Sequence, residues 1–411
     1  MSAQASCEGT IFSQIPRRYI AVTLTIVLAM FVISVSGNPR SAWAGTGDFV
    51  EVHKDGVGGV DGLDYAYSVT VSPDGNHVYA AGYLDDAVAV FNRNASTGVL
   101  AFVEVQKDGV GGVDGLGAAS SVTVSPDGNH VYATGYGDDA VAVFSRDAST
   151  GALTYVEMQK DGVGGVDGLD AATSVTVSAD GNHVYATGQS DDAVAVFSRN
   201  ASTGALTFVE MHKDGVGGVD GLDGVLSVTV SPDGKHVYAA SHDDDAVVLF
   251  SRTASTGELR FVEMEKDGVD GVDGLDAAVS VTLSPDGNHV YAAGYDDDAV
   301  AVFSRDSSTG GLTFVEMQKD GVGGVDGLDG ARTVTVSPDG NHVYAGSHDD
   351  DAVAVFSRNS STGGLTFVEM HKDGIGRVDG LDYVTSVTVS PDGNHLYATA
   401  ALDAALAVFR T

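Results

Sequence analysis

SVTLSPDGNHVYAAGYDDDAVAVFSRDSSTGGLTFVE, residues Ser280 to Glu316, is one copy of a pattern that fills nearly the whole chain. Its opening position recurs at Ser68, Ser121, Ser174, Ser227, Thr333 and Ser386, always 53 residues from the next, with no insertion. A period near 50 belongs to propeller blades or solenoid repeats. Each copy divides into four short strands. SVTLS is the first. Ser-Pro-Asp-Gly then makes a tight turn, Pro presetting φ and Gly taking the positive-φ position. HVYAAG is the second strand and AVAVF the third. The small, polar SRDSSTG forms a loop, and LTFVE is the fourth strand. AVAVF is apolar at every position, as in a strand buried on both faces. A blade sandwiched between two neighbours supplies that burial.

The ends of the pattern favour a closed ring. The last copy stops at Val408-Phe409-Arg410-Thr411, after its third strand. Asp48-Phe49-Val50-Glu51-Val52 reads as a fourth strand with no blade before it. Pairing the two completes a seventh blade and removes exposed sheet edges. The expected architecture is an all-β, seven-bladed propeller over residues 45–411, closed by the N-terminal strand.

Residues 1–44 read as a signal peptide. Arg17 and Arg18 precede an uncharged run from Tyr19 to Ser36, and Ala42-Trp43-Ala44 is a small-x-small cleavage site. The mature chain is expected to begin at Gly45 and to be exported, periplasmic or extracellular, with no membrane span after cleavage. Cys7, the only cysteine, lies in that segment, so no disulfide is expected. The net charge of −36 excludes nucleic acid as a partner, which needs a basic surface. It favours a dispersed monomer and leaves a protein or a saccharide as the partner.

The repeat, on the stretch quoted above, resembles the seven-bladed lactonase-like propellers with YVTN-type blades. That family contains 6-phosphogluconolactonases and a muconate-lactonising enzyme, together with exported and surface-layer propellers. The resemblance implies lactone hydrolysis by a small cluster of His, Arg and acidic residues near the channel. Fold alone does not carry activity across such a family.

Propeller connectivity puts the loop between strand 4 and the next strand 1 on the same face as the turn between strands 2 and 3. Both are acidic here, as in Lys160 to Asp170 and Tyr295 to Ala299. The second aspartate of each long loop, Asp61, Asp114, Asp167, Asp220, Asp273, Asp326 and Asp379, is the candidate ligand for Ca²⁺, which takes oxygen donors. The alternative is that these carboxylates cap their own turns. Seven histidines follow the SPDG turns, from His77 to His395. One per blade is too dispersed for zinc, so they read as structural.

Near-identical blades generate rings of like residues, whereas catalysis needs different groups converging on one atom. The informative positions are therefore those where blades disagree. One, beside strand 1, holds Tyr67, Ser120, Thr173, Leu226, Val279, Arg332 and Thr385. The other opens the 2–3 turn and holds Tyr83, Tyr136, Gln189, His242, Tyr295, His348 and Ala401. Tyr67, Tyr83, Tyr136, Tyr295, His242, His348 and Arg332, with Arg377 from a long loop, form the candidate ligand-binding rim. The primary expectation is a binding scaffold with an acidic face. The alternative is a hydrolase acting on a non-phosphorylated lactone.

Overall fold

A computed structural model describes residues 48–411. The proposed signal peptide, its cleavage site before Gly45 and Cys7 lie outside the described residues. Twenty-eight strands, β1 to β28, form seven four-stranded antiparallel sheets. The first complete blade runs β2 (Ala66–Val71), β3 (His77–Gly82), β4 (Ala87–Arg93), β5 (Leu100–Lys107), in that spatial order. Among the described residues no helix is long and apolar enough to cross a membrane.

The ring closes as the sequence implies. β1 (Phe49–Lys54) pairs antiparallel with β28 (Ala405–Arg410), Val52 facing Ala407 and Lys54 facing Ala405. With β26 (Val384–Val389) and β27 (His395–Ala400) they make the seventh sheet. Some boundaries differ from expectation: the third strand runs two residues past AVAVF, to Arg93 in the first blade. The first strand of each blade begins two residues earlier than SVTLS, with a register shift such as that between Ala66 and Ser68. The extra residue at this bulge is not matched across the ladder, and a bulge re-aims side chains.

Burial explains why the second and third strands are so uniform. β3 and the first five residues of β4 are completely buried. The core is not central but divided into layers between blades. In one layer Tyr79, Val88 and Val90 of the first blade pack on Leu116, Val131 and Phe144 of the second.

A polar clamp accompanies each apolar layer. Arg199 ends its blade's third strand and reaches into the preceding blade, its side chain almost fully buried. Its Nε donates to the Tyr132 hydroxyl at 2.7 Å and its Nη1 to the Gly181 carbonyl at 2.7 Å. Its Nη2 donates to both oxygens of Asp127, at 3.1 and 2.8 Å, and meets His130 Nδ1 at 2.8 Å. Arg93, Arg146, Arg252, Arg305 and Arg358 repeat this arrangement. The histidines are thus structural, as their spacing implied. Burial, and then the adjacent guanidinium, depress His130 below its ordinary value. Burial opposes the charge of Asp127, but the Ser125 hydroxyl, the Asn129 amide and Arg199 outweigh it and hold the carboxyl at about 2.

Both shifts have the same sign in stability. A group whose folded pKa is depressed stabilises the fold above its unfolded pKa and loses that contribution as pH falls. The melting temperature is expected to decline as pH drops below 6.5, where unfolded histidine gains a proton, and more steeply from about 4 to about 2. A melting curve unchanged between pH 7 and pH 3 would contradict this. Arg199→Ala is expected to cost about 3 kcal/mol, because it removes the cation paired with Asp127 and the donor to the Tyr132 hydroxyl. Denaturant unfolding measures it.

Candidate active site at the channel mouth

The long loops and the 2–3 turns do share a face. Tyr83 N donates to the Tyr65 carbonyl at 3.1 Å and Leu84 N to the Asp64 carbonyl at 3.1 Å. The channel below is lined by the first strands, with Ser68, Ser121 and their counterparts. At its mouth on the acidic face a cavity of about 220 Å³ is lined by Tyr65, Tyr67, His242, Val279, Tyr295, Arg332, His348, Tyr383 and Thr385.

Arg332 sits at the bulge between Ala331 and Thr333. Its Nη2 donates to the Tyr67 hydroxyl, and the guanidinium lies over the Tyr67 ring, 5.4 Å from the centroid. No carboxylate of the described residues lies within ion-pair distance of it. Its charge therefore remains available to a ligand, unlike that of the six clamp arginines.

His348 is buried, and its Nδ1 is 3.0 Å from Asp349 Oδ1. The Tyr295 hydroxyl lies 3.0 Å from the same nitrogen and 3.4 Å from the Asp349 carboxylate. An Nδ1–H donating to Asp349, with the Tyr295 hydroxyl donating to that carboxylate, satisfies all three groups. Burial lowers the His348 pKa to about 4 despite Asp349. The ring is thus neutral near pH 7, with Nε2 carrying the lone pair. Burial, and then Asp349, push Tyr295 up to about 12. His242 makes a similar pair with Asp243, at 2.7 Å.

The tyrosines form a continuous arc. Tyr136 meets Tyr83 at 6.0 Å between ring centroids, Tyr83 meets Tyr67 at 5.8 Å, and Tyr65 meets Tyr383 at 6.2 Å. Tyr383 packs on His348. Tyr83 and Tyr136 extend the arc without lining the cavity. Arg377 is exposed in its long loop and does not line the cavity either.

Tyr65, Tyr383 and Asp349 escaped the sequence reading. Tyr65 and Tyr383 occupy a left-handed backbone position, φ 54° and 70°, held by Ala or Gly in the other five blades. A bulky residue there is unfavourable unless something offsets it. That column, too, differs between blades, and it was the signal to follow.

The candidate metal ligands are gathered as groups of three. Asp61 lies with Asp55 and Asp85, Asp114 with Asp108 and Asp138, Asp167 with Asp161 and Asp191, Asp273 with Asp267 and Asp297, and Asp326 with Asp320 and Asp350. A lysine ending the fourth strand is already there. Lys107 Nζ is 2.8 Å from both Asp61 and Asp85, and Lys54 Nζ is 2.9 Å from Asp379 and 2.7 Å from Asp403. Lys266 lies 3.2 Å from Asp244 in the blade that holds Asp220. Other acidic oxygens accept from the loop itself, as Asp55 does from Leu63 N at 3.2 Å. The carboxylates therefore brace their loops, with an ammonium supplying the positive charge. Excess chelator is expected to leave the melting temperature unchanged, whereas Lys107→Met lowers it. A chelator-sensitive melt would overturn this account of the loops.

The sequence matches the family model for lactonase, seven-bladed β-propeller, over residues 68–219, 161–268, 217–316 and 266–376. The chain belongs to that lactonase family. Among solved structures, a periplasmic gluconolactonase of Pseudomonas aeruginosa is 21% identical with a TM-score of 0.60, covering 75% of this chain and 85% of its own. A Bacteroides uniformis protein assigned as a 6-phosphogluconolactonase is 21% identical with a TM-score of 0.61, covering 74% and 84%. The propeller domain of Cps50 (Swd1) from Myceliophthora thermophila scores 0.62 at 12% identity, covering 89% and 99%. Likenesses at these identities show the fold alone. An uncharacterized protein of Staphylococcus saprophyticus is 24% identical over 268 residues, 62% of this chain and 72% of its own.

Proposed function

We propose that this lactonase-family propeller hydrolyses a non-phosphorylated lactone of sugar-acid size at the channel mouth. One observation carries the reading: a neutral, carboxylate-oriented histidine and an arginine without a carboxylate partner face the same cavity. His348 Nε2 takes a proton from water as the water oxygen attacks the lactone carbonyl carbon. The Arg332 guanidinium stabilises the oxyanion that forms. The ring C–O bond then breaks, the proton held by His348 passes to the departing ring oxygen, and a hydroxy acid results. Asp349 is a positioning residue, fixing the Nδ1–H tautomer. The tyrosine arc supplies apolar ring faces to a saccharide and hydroxyls at the rim.

The aspartates crowding the same face oppose a phosphate, which favours an uncharged substrate. The structural neighbour named as a periplasmic gluconolactonase is consistent with such a substrate. It is also consistent with export, the location that the N-terminal apolar run suggests. A second reading keeps the cavity but not the turnover: the repeated acidic face serves a saccharide-binding scaffold.

An assay with glucono-δ-lactone and related sugar lactones distinguishes the two. His348→Ala is expected to lower kcat/KM by about 10² or more, and Arg332→Ala by a similar factor. Activity requires neutral His348, so it is lost as pH falls through about 4 and stays level from pH 5 to 7. Saccharide binding without turnover would establish the scaffold instead. A pH midpoint near 6.5 would remove His348 from the role of base.

A further inference from the structure

The tyrosine arc is longer than the cavity it borders. Tyr65, Tyr67 and Tyr383 line that cavity. Tyr83 does not, yet its ring meets Tyr65 at 5.9 Å and Tyr67 at 5.8 Å between centroids, and it meets Tyr136 at 6.0 Å on its far side. The arc thus leaves the cavity across the first blade and reaches the second. Gln189 holds the same column in the third blade, where the run of tyrosines stops. Tyr83 and Tyr136 are both half-buried.

The backbone beside Tyr136 is bare where other blades carry side chains. Six of the long loops place an aspartate one residue before the left-handed position, as Asp64 and Asp170 do; the loop leading into the second blade has Gly117. The residue after the tyrosine column has a side chain in six blades, as in Leu84 and Asp243; the second blade has Gly137. The two glycines meet, Gly137 N donating to the Gly117 carbonyl at 2.9 Å. Backbone conformation does not require Gly137. Its φ lies outside the left-handed region, and a Cβ there would meet nothing closer than 3.4 Å, an ordinary contact. What the glycine provides is an open floor beside the Tyr136 ring. At the edge of that floor Asp86 Oδ1 accepts from Ala118 N at 2.7 Å, and the exposed carboxylate has its second oxygen for a ligand hydroxyl.

These groups suit a glycosyl unit. A pyranose presents C–H groups on its faces and hydroxyls around its edge. Tyrosine rings offer an apolar face with a polar tip, and the carboxylate accepts hydrogen bonds. An alkyl chain would cover the same carboxylate and backbone groups without pairing them, at a cost. Direction agrees as well. With the lactone carbonyl carbon, C1, at Arg332 and His348, C4 lies opposite it across the sugar ring. A substituent on O4 therefore points away from the reactive pair.

We infer that Tyr83, Tyr136 and the glycine floor form a second subsite, and that the lactone hydrolysed at the mouth is the aldonolactone of a 4-O-linked disaccharide. This rests on the lactone reading of the mouth. The lactone ring occupies the cavity. The glycosyl unit stacks on Tyr83 and Tyr136, and Asp86 accepts from one of its hydroxyls.

The test compares cellobiono-δ-lactone with glucono-δ-lactone as substrates of the purified protein. The parent is expected to show a kcat/KM about tenfold higher for the disaccharide lactone, the effect of one stacked sugar ring. Tyr136→Ala is expected to bring that ratio to about one. Gly137→Asp is expected to do the same by filling the floor, with the residue that the fourth, fifth and sixth blades carry at Asp243, Asp296 and Asp349. Equal values for the two lactones in the parent, or a ratio that survives both substitutions, overturns the subsite and leaves hydrolysis at the mouth standing. A stronger preference for a lactone bearing an alkyl chain overturns it too. If neither sugar lactone is turned over, it is the hydrolase reading that fails, and calorimetry with gluconolactam and the corresponding disaccharide lactam decides the subsite. Tighter binding of the disaccharide analogue that Gly137→Asp removes supports it; equal binding of the two overturns it.

Discussion

The guanidinium that one blade buries in its neighbour is the contact on which the ring depends. Apolar layers such as Tyr79 against Phe144 are non-directional and would tolerate sliding. An ion pair from Arg199 Nη2 to Asp127, with Nε and Nη1 of the same guanidinium bonded to Tyr132 and Gly181, permits only one relation between two sheets. Repeated from blade to blade, that relation fixes the rotation per blade. The β1–β28 pairing then closes the circle with backbone hydrogen bonds.

This regularity determines where function can reside. A set of like residues repeated around the ring presents like groups at equal radius. The serines that line the channel, and the aspartate trios braced by lysine, are of that kind. The mouth is not. Arg332 and His348 come from the sixth blade, Tyr295 from the fifth, Tyr383 from the seventh, and Tyr65 and Tyr67 from the first. The bulge that starts each blade aims one residue into the channel, so a single substitution there alters the mouth without disturbing a layer of the core. A strict scaffold can thus carry a local, asymmetric site.

The same division explains what could be read beforehand. AVAVF and HVYAAG declare double-sided burial, and the lone Phe49 strand declares closure, because pattern and period dominate in a repeat. Arg332, His242 and His348 were legible as departures from the repeat. Tyr65 and Tyr383 are departures of the same kind, in a column of Ala and Gly, but the left-handed backbone that gives that column its meaning appears only in the structure. Asp349 was hidden among like aspartates; only its distance to His348 separates it from them. The grouping of Asp61 with Asp55 and Asp85 follows from the repeated loops, but Lys107 beside them could not be placed from sequence. Lys107 and its equivalents end a strand in sequence, yet reach the 2–3 turn aspartates in space, and Lys107 and Lys54 reach a long-loop aspartate as well.

The proposed function requires that the asymmetric mouth, and not the repeated acidic loops, engage the ligand. The most direct measurement is a crystal structure with gluconolactam, the hydrolysis-resistant lactam analogue of the sugar lactone. The expected result is one molecule per chain, its carbonyl oxygen on the Arg332 guanidinium and its carbonyl carbon within reach of a water on His348, between the rings of Tyr67 and Tyr383. The analogue bound among the loop aspartates, or repeated at several blades with the mouth empty, would contradict it.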